Sequence, residues 1–231
     1  MEICTVGGYE QVGKNLTAVK VDEDVFLFDM GLFIPGISEL QEDHILEHTY
    51  RLKKGEKGEK SKRFQQRYTE QKLREYGAIP DDRILDKLGW RSKVRAIFIS
   101  HAHLDHVGGA PYIANRYPQA TIYATPFTMK VLEAILEDEK LRIRNRLKIV
   151  QPDSSHIIKG KSGSYKVDFV HTTHSTIHCV FPVLHTKEGS FFYALDLKFD
   201  NYPTMGRPPN YRKLKELGRQ GIKALVVDAL Y

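Results

Sequence analysis

The feature that most constrains this chain is a change of character after residue 99. Ala96-Ile97-Phe98-Ile99 is an apolar run rich in strand-forming residues, and such a run reads as a buried strand. It empties through Ser100 into His101-Ala102-His103-Leu104-Asp105-His106, three histidines and an aspartate within six residues. Imidazole and carboxylate are the donors that zinc and its transition-series neighbours prefer. On a loop leaving a strand, His101 and His103 can turn toward one ion while Asp105 and His106 face a second. A single histidine there would be read as lining or capping a turn. The H-x-H-x-D-H spacing directly after a strand argues instead for a metal loop, to be tested by its structural context.

Composition sets wide bounds. With 231 residues, 41% hydrophobic and 28% charged, the chain has the make-up of one sizeable globular domain. No window approaches the ~18 uninterrupted apolar residues of a membrane span, so no membrane partner is expected. Met1-Glu2-Ile3-Cys4 lacks the basic-then-apolar pattern of a secretory signal. Cys4 and Cys179 do not make a disulfide framework. Both observations lead to the expectation of a reducing, cytoplasmic location. Cys179 reads as a small buried hydrophobe.

Charge is concentrated. Residues 51–74 carry ten basic side chains against three acidic ones, a local charge of +7 that leaves the rest of the chain at −1 within a total of +6. Such a segment is either a solvated helix face or a contact for a polyanion. In the second case Lys60, Lys62, Arg63 and Arg67 would engage the polyanion's charged backbone without reading its sequence.

Taken in order, strands are expected at Ile3 to Val6, Leu16 to Val21 and Val25 to Asp29. The glycine-rich stretch from Gly7 to Asn15 lacks the spacing and the following helix of a phosphate-binding loop. Residues 38–91 form a polar, basic insertion with one or two surface helices from about Ser61 to Tyr76, a short helix after Pro80, and a disorder-prone composition from Lys54 to Lys62. A helix should follow the metal loop as far as Tyr117. Next come a strand at Thr121 to Ala124 and a helix from Phe127 to Glu137, with Phe127, Val131, Leu132, Ile135 and Leu136 on one face. Strands near Lys148 to Val150, His156 to Ile158, Tyr165 to His171, Val180 to Thr186 and Ser190 to Leu195, a helix over Asn210 to Leu217 and a buried strand at Ala224 to Val227 complete the reading. Two strand ends stand out. His174 sits where a third ligand of the first ion should arrive, and Asp196 could bridge both ions, in keeping with catalytic sites that leave a metal position open.

H-x-H-x-D-H after an apolar strand resembles the signature of the metallo-β-lactamase superfamily. The stretch from Gly7 to Asn15, Asp29-Met30-Gly31, the metal loop, Thr173-His174-Ser175 and Asp196-Leu197-Lys198-Phe199-Asp200 together resemble the RNase J branch of its β-CASP ribonucleases, the archaeal type most of all. The resemblance implies the N-terminal part of an α/β fold, the αββα sandwich. It further implies a metal-dependent ribonuclease, a 5′-to-3′ exonuclease in many members. Two divalent ions are implied, zinc foremost with manganese as the other candidate, held by His101, His103, Asp105, His106, His174 and Asp196. Asp105, His106 and Asp196 would take part in catalysis, and Asp29 would hold the histidine loop rather than an ion. A turn-capping role for Asp29 reads equally well from the residues alone.

Departures accompany the likeness. The family follows its third histidine with Ser-Ile-Pro-Asp, where this chain has Ser175-Thr176-Ile177-His178. The family chain also continues beyond the strand at Ala224 to Val227 into a β-CASP domain and then returns to finish the lactamase fold. The expectation is therefore an incomplete sandwich with uncovered apolar faces. Such a chain would self-associate as a homo-oligomer or need a second polypeptide supplying the missing half. A small-molecule metallohydrolase of the glyoxalase or lactamase kind and a non-catalytic half-enzyme subunit are the competing expectations.

Overall fold

A computed structural model describes the backbone of residues 1–53 and 68–227 and the side chains of all of these except 44–53. Strands β1 (Glu2–Gly7), β2 (Leu16–Val21), β3 (Asp24–Phe28), β4 (Val94–Phe98), β5 (Thr121–Ala124) and β6 (Leu147–Ile149) form one sheet in that order. The β1–β2 and β2–β3 pairs are antiparallel, and β3 to β6 are parallel. The second sheet runs β11-β10-β9-β8-β7, from β7 (Ser154–Lys159), β8 (Ser164–His171), β9 (Val180–Thr186), β10 (Gly189–Ala194) and β11 (Ile222–Val227). Only the β10–β11 pair of that sheet is parallel.

The two-residue period of a strand explains why the sheets stack. In β3, Phe26 and Phe28 enter the space between the sheets, while Val25 and Leu27 point the other way, toward the helices. Phe98 of β4 meets Phe169 of β8 edge-on at 5.8 Å, and Phe28 lies 4.8 Å from Phe191 of β10. The outer face of the first sheet is covered by helices α1 (Ile34–Lys53), α2 (Glu70–Glu75), α3 (Ile84–Lys87), α4 (Leu104–Val107), α5 (Ala110–Ile113) and α6 (Pro126–Asp138). They contribute Leu40, Leu73, Leu85, Val107, Ile113, Met129 and Leu132 to that core. Leu214 and Leu217 of α7 (Tyr211–Gln220) cover Val170, Phe181, Val183 and Phe192 on the outer face of the second sheet. The result is four layers, helix–sheet–sheet–helix.

The expectation that this length of chain would leave the first sheet uncovered is corrected, because five strands already lie over its inner face. The strand expected to be buried at Ala224 to Val227 is instead an edge strand. Leu225 and Val227 are 58% and 52% exposed on it. Three helices also differ from expectation. α1 begins well before Ser61, and Pro35 and Gly36 in its first turn disguise its start in the sequence. A Cβ on Gly36 would lie 2.7 Å from the Tyr76 carbonyl, so only glycine lets α1 start there. The helix expected to reach Tyr117 is broken into α4, α5 and a 3₁₀ turn at Ala114–Arg116. In α6, Phe127 is 38% exposed and Thr128 and Met129 are buried in its stead.

Of the expected helix from Ser61 to Tyr76, the described residues hold α2. Lys60, Lys62, Arg63 and Arg67, with the rest of 54–67, lie outside the described residues. Arg74, from the same basic segment, is committed to structure: it donates to Glu70 at 2.8 Å and to the buried Asp82 carboxylate at 2.6 Å. No described helix is long and apolar enough to cross a membrane.

Candidate metal centre

Four strand ends deliver the predicted donors to one place. β4 runs out at Phe98 into the loop carrying His101 and His103, and α4 begins immediately after His103 with Asp105 and His106 in its only turn. β8 ends at His171, three residues before His174, and β10 ends at Ala194, two before Asp196. An isolated bridge between Thr173 and Lys198 ties these last two segments together. β3 delivers Asp29.

Asp29 is fully buried, and its carboxylate is enclosed by donors. Oδ1 accepts from the Ser100 amide at 2.7 Å, while Oδ2 accepts from the Ser100 hydroxyl at 2.9 Å and from His106 Nδ1 at 2.7 Å. Asp29 thus contacts the histidine loop and belongs to neither donor set. Its bond to Nδ1 holds a proton there and turns Nε2 inward, the atom free to face a cation when the ring is neutral. His101 Nδ1 lies 3.0 Å from the Ser100 hydroxyl, which leaves its Nε2 lone pair inward as well. The loop is clamped along its backbone too. The Met30 amide donates to the His106 carbonyl and the Leu32 amide to that of Leu104, each at 2.8 Å. A Cβ on Gly31, between them, would lie 1.6 Å from the Asp105 carbonyl oxygen, so no other residue fits this approach.

Within the cluster, His101 Nε2 and His174 Nε2 lie 3.0 and 3.2 Å from His103 Nδ1. Asp196 Oδ2 stands 3.4 Å from His101 Nε2, 3.4 Å from His174 Nε2 and 3.9 Å from His103 Nδ1. The same oxygen is 3.2 Å from His106 Nε2, which in turn is 3.4 Å from Asp105 Oδ2. Donors around one tetrahedral ion at about 2.0–2.1 Å stand roughly 3.3 Å apart. Among the described residues, two groups bring one donor atom from each member within 4.8 Å of the others, His101/His103/His174/Asp196 and Asp105/His106/Asp196, with Asp196 common to both. Lone pairs converging this closely cannot all be satisfied by one another's protons, whereas a cation among them satisfies all at once.

Electrostatics prepare the first group. Burial, reinforced by charge on His106, lowers His101 to about 4, and burial with its neighbour His174 lowers His103. Both imidazoles are therefore neutral, ligand-ready donors near neutral pH. Burial opposes charge on His106 as well, but the surrounding Asp29, Asp105 and Asp196 carboxylates prevail and raise it well above its ordinary value. Burial would raise Asp105, yet its contact with His106 outweighs that and holds it below the usual carboxylate range. Cys179 is buried and its thiol is pushed up, so it supplies no thiolate.

Sequence reasoning missed three residues here. Ser100 bridges Asp29 and His101. Asn15 donates from Nδ2 to the Asp105 carbonyl and approaches His106 Nε2, each at 3.1 Å. Ser175 Oγ lies 3.0 Å from His103 Nε2. A polar Ser100 closing an apolar strand was the one local signal. A cleft of about 1390 Å³ opens beside the cluster, with His174 and Asp196 in its wall.

Two stacked sheets flanked by helices, with paired His/Asp donor sets at the strand ends, define the class of α/β sandwich proteins built to hold divalent cations. The chain belongs to the metallo-beta-lactamase superfamily, whose sequence pattern matches residues 11–183. It is 36% identical over 229 residues to Ribonuclease J of Methanocaldococcus jannaschii and 36% identical over 230 residues to Ribonuclease J of Pyrococcus abyssi, covering 99% of this chain in each case. The chain spans 45% of the length of each of these relatives. Among solved structures, a protein of unknown function from Enterococcus faecalis V583 superposes with a TM-score of 0.54 at 17% identity, covering 85% of this chain and 43% of that one. That likeness concerns the fold alone.

Proposed function

We propose that this chain is the metal-bearing part of a ribonuclease of the Ribonuclease J kind, which hydrolyses phosphodiester bonds of RNA from 5′ to 3′. The observation that carries the reading is the single Asp196 oxygen facing two donor sets, in a chain 99% of which aligns with 45% of each of those relatives. His101, His103 and His174 hold one divalent ion, Asp105 and His106 contribute to a second, and Asp196 joins them, with zinc the favoured metal for this nitrogen-rich set. Ions bound there supply Lewis acidity, which lowers the pKa of a water toward about 7 and offsets charge on a phosphodiester. Asp105, ionised and partly open to solvent, can accept a hydrogen bond from a water entering the cluster. His106, its Nδ1–H held by Asp29, keeps the second donor set in register. The breadth of the cleft favours a polymer over a small molecule, since small-ligand sites run to about 300–1,000 Å³.

On this reading residues 1–231 form the N-terminal part of a metallo-β-lactamase domain, with an insertion over about 38–91, acting in the cytoplasm. Lys60, Lys62, Arg63 and Arg67 of that insertion make phosphate contacts. The exposed apolar residues of edge strand β11 support self-association or a second polypeptide partner. Elemental analysis of chain expressed in metal-replete medium tests the central claim. About two equivalents of zinc or manganese are expected, falling to one or fewer in Asp196→Ala together with loss of RNA degradation. A metal-free wild-type chain overturns it.

A further inference from the structure

The segment that follows Asp196 has chemistry that the metal centre does not use. Residues 197–215 carry Lys198, Arg207, Arg212, Lys213 and Lys215 against a single Asp200, a local charge of +4. Interleaved with these cations are large apolar and aromatic side chains held in the open. Tyr202 is 93% exposed, Met205 68% and Phe199 53%. Their placement is ordered by the backbone. The Thr173–Lys198 bridge pins the start of the segment, the Asp200 amide donates to Thr173 Oγ1 at 3.1 Å, and the Tyr202 amide donates to Asp200 Oδ1 at 2.8 Å. Phe199 rests against Tyr211 of α7 with ring centroids 5.9 Å apart, and the Tyr211 hydroxyl donates to Asn201 at 2.8 Å.

The segment is continuous with the metal centre. Lys198, Asp200, Met205 and Arg207 belong to the wall of the same cleft as His174 and Asp196. Phe199 and Tyr202 lie between those wall residues in the chain and are exposed. The geometry points to a single-stranded RNA track here, in which Phe199 and Tyr202 stack bases while Lys198 of the cleft wall and, further along on α7, Arg212 and Lys215, all exposed, meet the phosphates. This deepens the ribonuclease reading and rests on it. Exposed rings alternating with cations beside a metal-bearing cleft are what sequence-independent single-strand binding requires, because every base has a face to stack and every phosphate a charge to meet. A surface meant to be covered by another protein would be depleted in charge at its centre, and this one is not.

The track is tested by fluorescence anisotropy on the full chain, with a labelled twelve-residue oligoadenylate and an abasic oligomer of the same length and charge. The oligoadenylate should bind more tightly than the abasic chain. The double variant Phe199→Ala/Tyr202→Ala should weaken oligoadenylate binding by ~10-fold or more and leave the abasic affinity where it was. Because both residues are exposed, thermal unfolding should match that of the wild type. Equal affinity for the two oligomers, or oligoadenylate affinity unchanged in the variant, overturns the track. A variant that loses self-association by light scattering while its RNA affinity stays the same overturns it in favour of a protein contact. The ribonuclease reading is judged separately, by RNA hydrolysis in the wild type and Asp196→Ala. Its failure with base-dependent binding intact would leave the track standing.

Discussion

Two loops bring histidines to the same cluster, and they are built in opposite ways. The loop from Ile99 to Val107 is braced at nearly every polar atom. Asp29 takes three hydrogen bonds from it, Asn15 touches both Asp105 and His106, and the backbone of Met30 and Leu32 clamps it from beneath. The loop from Thr172 to His178 is held mainly at its start, by the Thr172 amide, which donates to the Cys179 carbonyl at 3.1 Å, by the Thr173–Lys198 bridge and by the Asp200 amide, which donates to Thr173 Oγ1; beyond these, Ser175 Oγ lies 3.0 Å from His103 Nε2. Thr172 Oγ1, Thr176 Oγ1 and His178 Nδ1 are buried there without hydrogen-bond partners among the described residues. The first loop carries four donor groups on a braced frame. The second brings one histidine on a segment where Thr172, Thr176 and His178 leave bonding capacity unused, and such a segment can rearrange at lower cost. Pairing of buried polar atoms, rather than burial itself, separates a rigid site element from an adaptable one.

The largest test of this contrast is Asp29→Asn. The amide nitrogen would have to face either the Ser100 amide or His106 Nδ1, and both are donors. Relief requires His106 to change tautomer and point an N–H into the cluster. Urea unfolding should show a loss of about 3–5 kcal/mol, as for breaking a buried ion pair. Metal titration should show the Asp105/His106 set weakened by about 10–100-fold, with the three-histidine set less affected. Equal weakening of both sets would mean that Asp29 supports the fold generally and not that tautomer.

A smaller effect is expected from Ser100→Ala, which deletes the hydroxyl linking Asp29 to His101 and should cost about 1–2 kcal/mol in the same unfolding assay. The least effect is expected from Thr172→Val in the second loop. Its hydroxyl is buried and unpartnered, so removing it takes away a desolvated polar group and no bond, and stability should stay within about 0.5 kcal/mol or rise. A Thr172→Val loss as large as that of Ser100→Ala would erase the distinction between the loops.

Much of the first loop was legible in the sequence. Four donors in six residues after an apolar strand left little other chemistry for them, and β2, β5 and β9 were readable to the residue because their apolar runs end at clear turns. Asn15 and Ser100 were not legible as site residues. Their roles come from contacts across 90 and 71 positions of chain, and no local pattern encodes such distances. α1 escaped because its early part buries little beyond Leu40, so the helical period is faint, and Pro35-Gly36 reads as a turn. The face of α6 was misjudged by one step at its start, where Pro126 sets the first turn and Phe127 swings outward. The short α3, α4 and α5 have four residues each, about one turn, which is too few for a period to register.

If both donor sets hold cations as proposed, the single oxygen of Asp196 that faces both would make the two sites partners in one equilibrium. A cation settling in either set draws on the same negative charge, and it also draws the carboxylate into the position the other set needs. Whichever effect dominates, linkage requires it to be mutual: the factor by which the first occupant changes the second site's affinity is the factor by which the second changes the first's. The centre would then load in two unequal steps. The interval of free-metal concentration between them would define a half-filled form of the protein with its own chemistry.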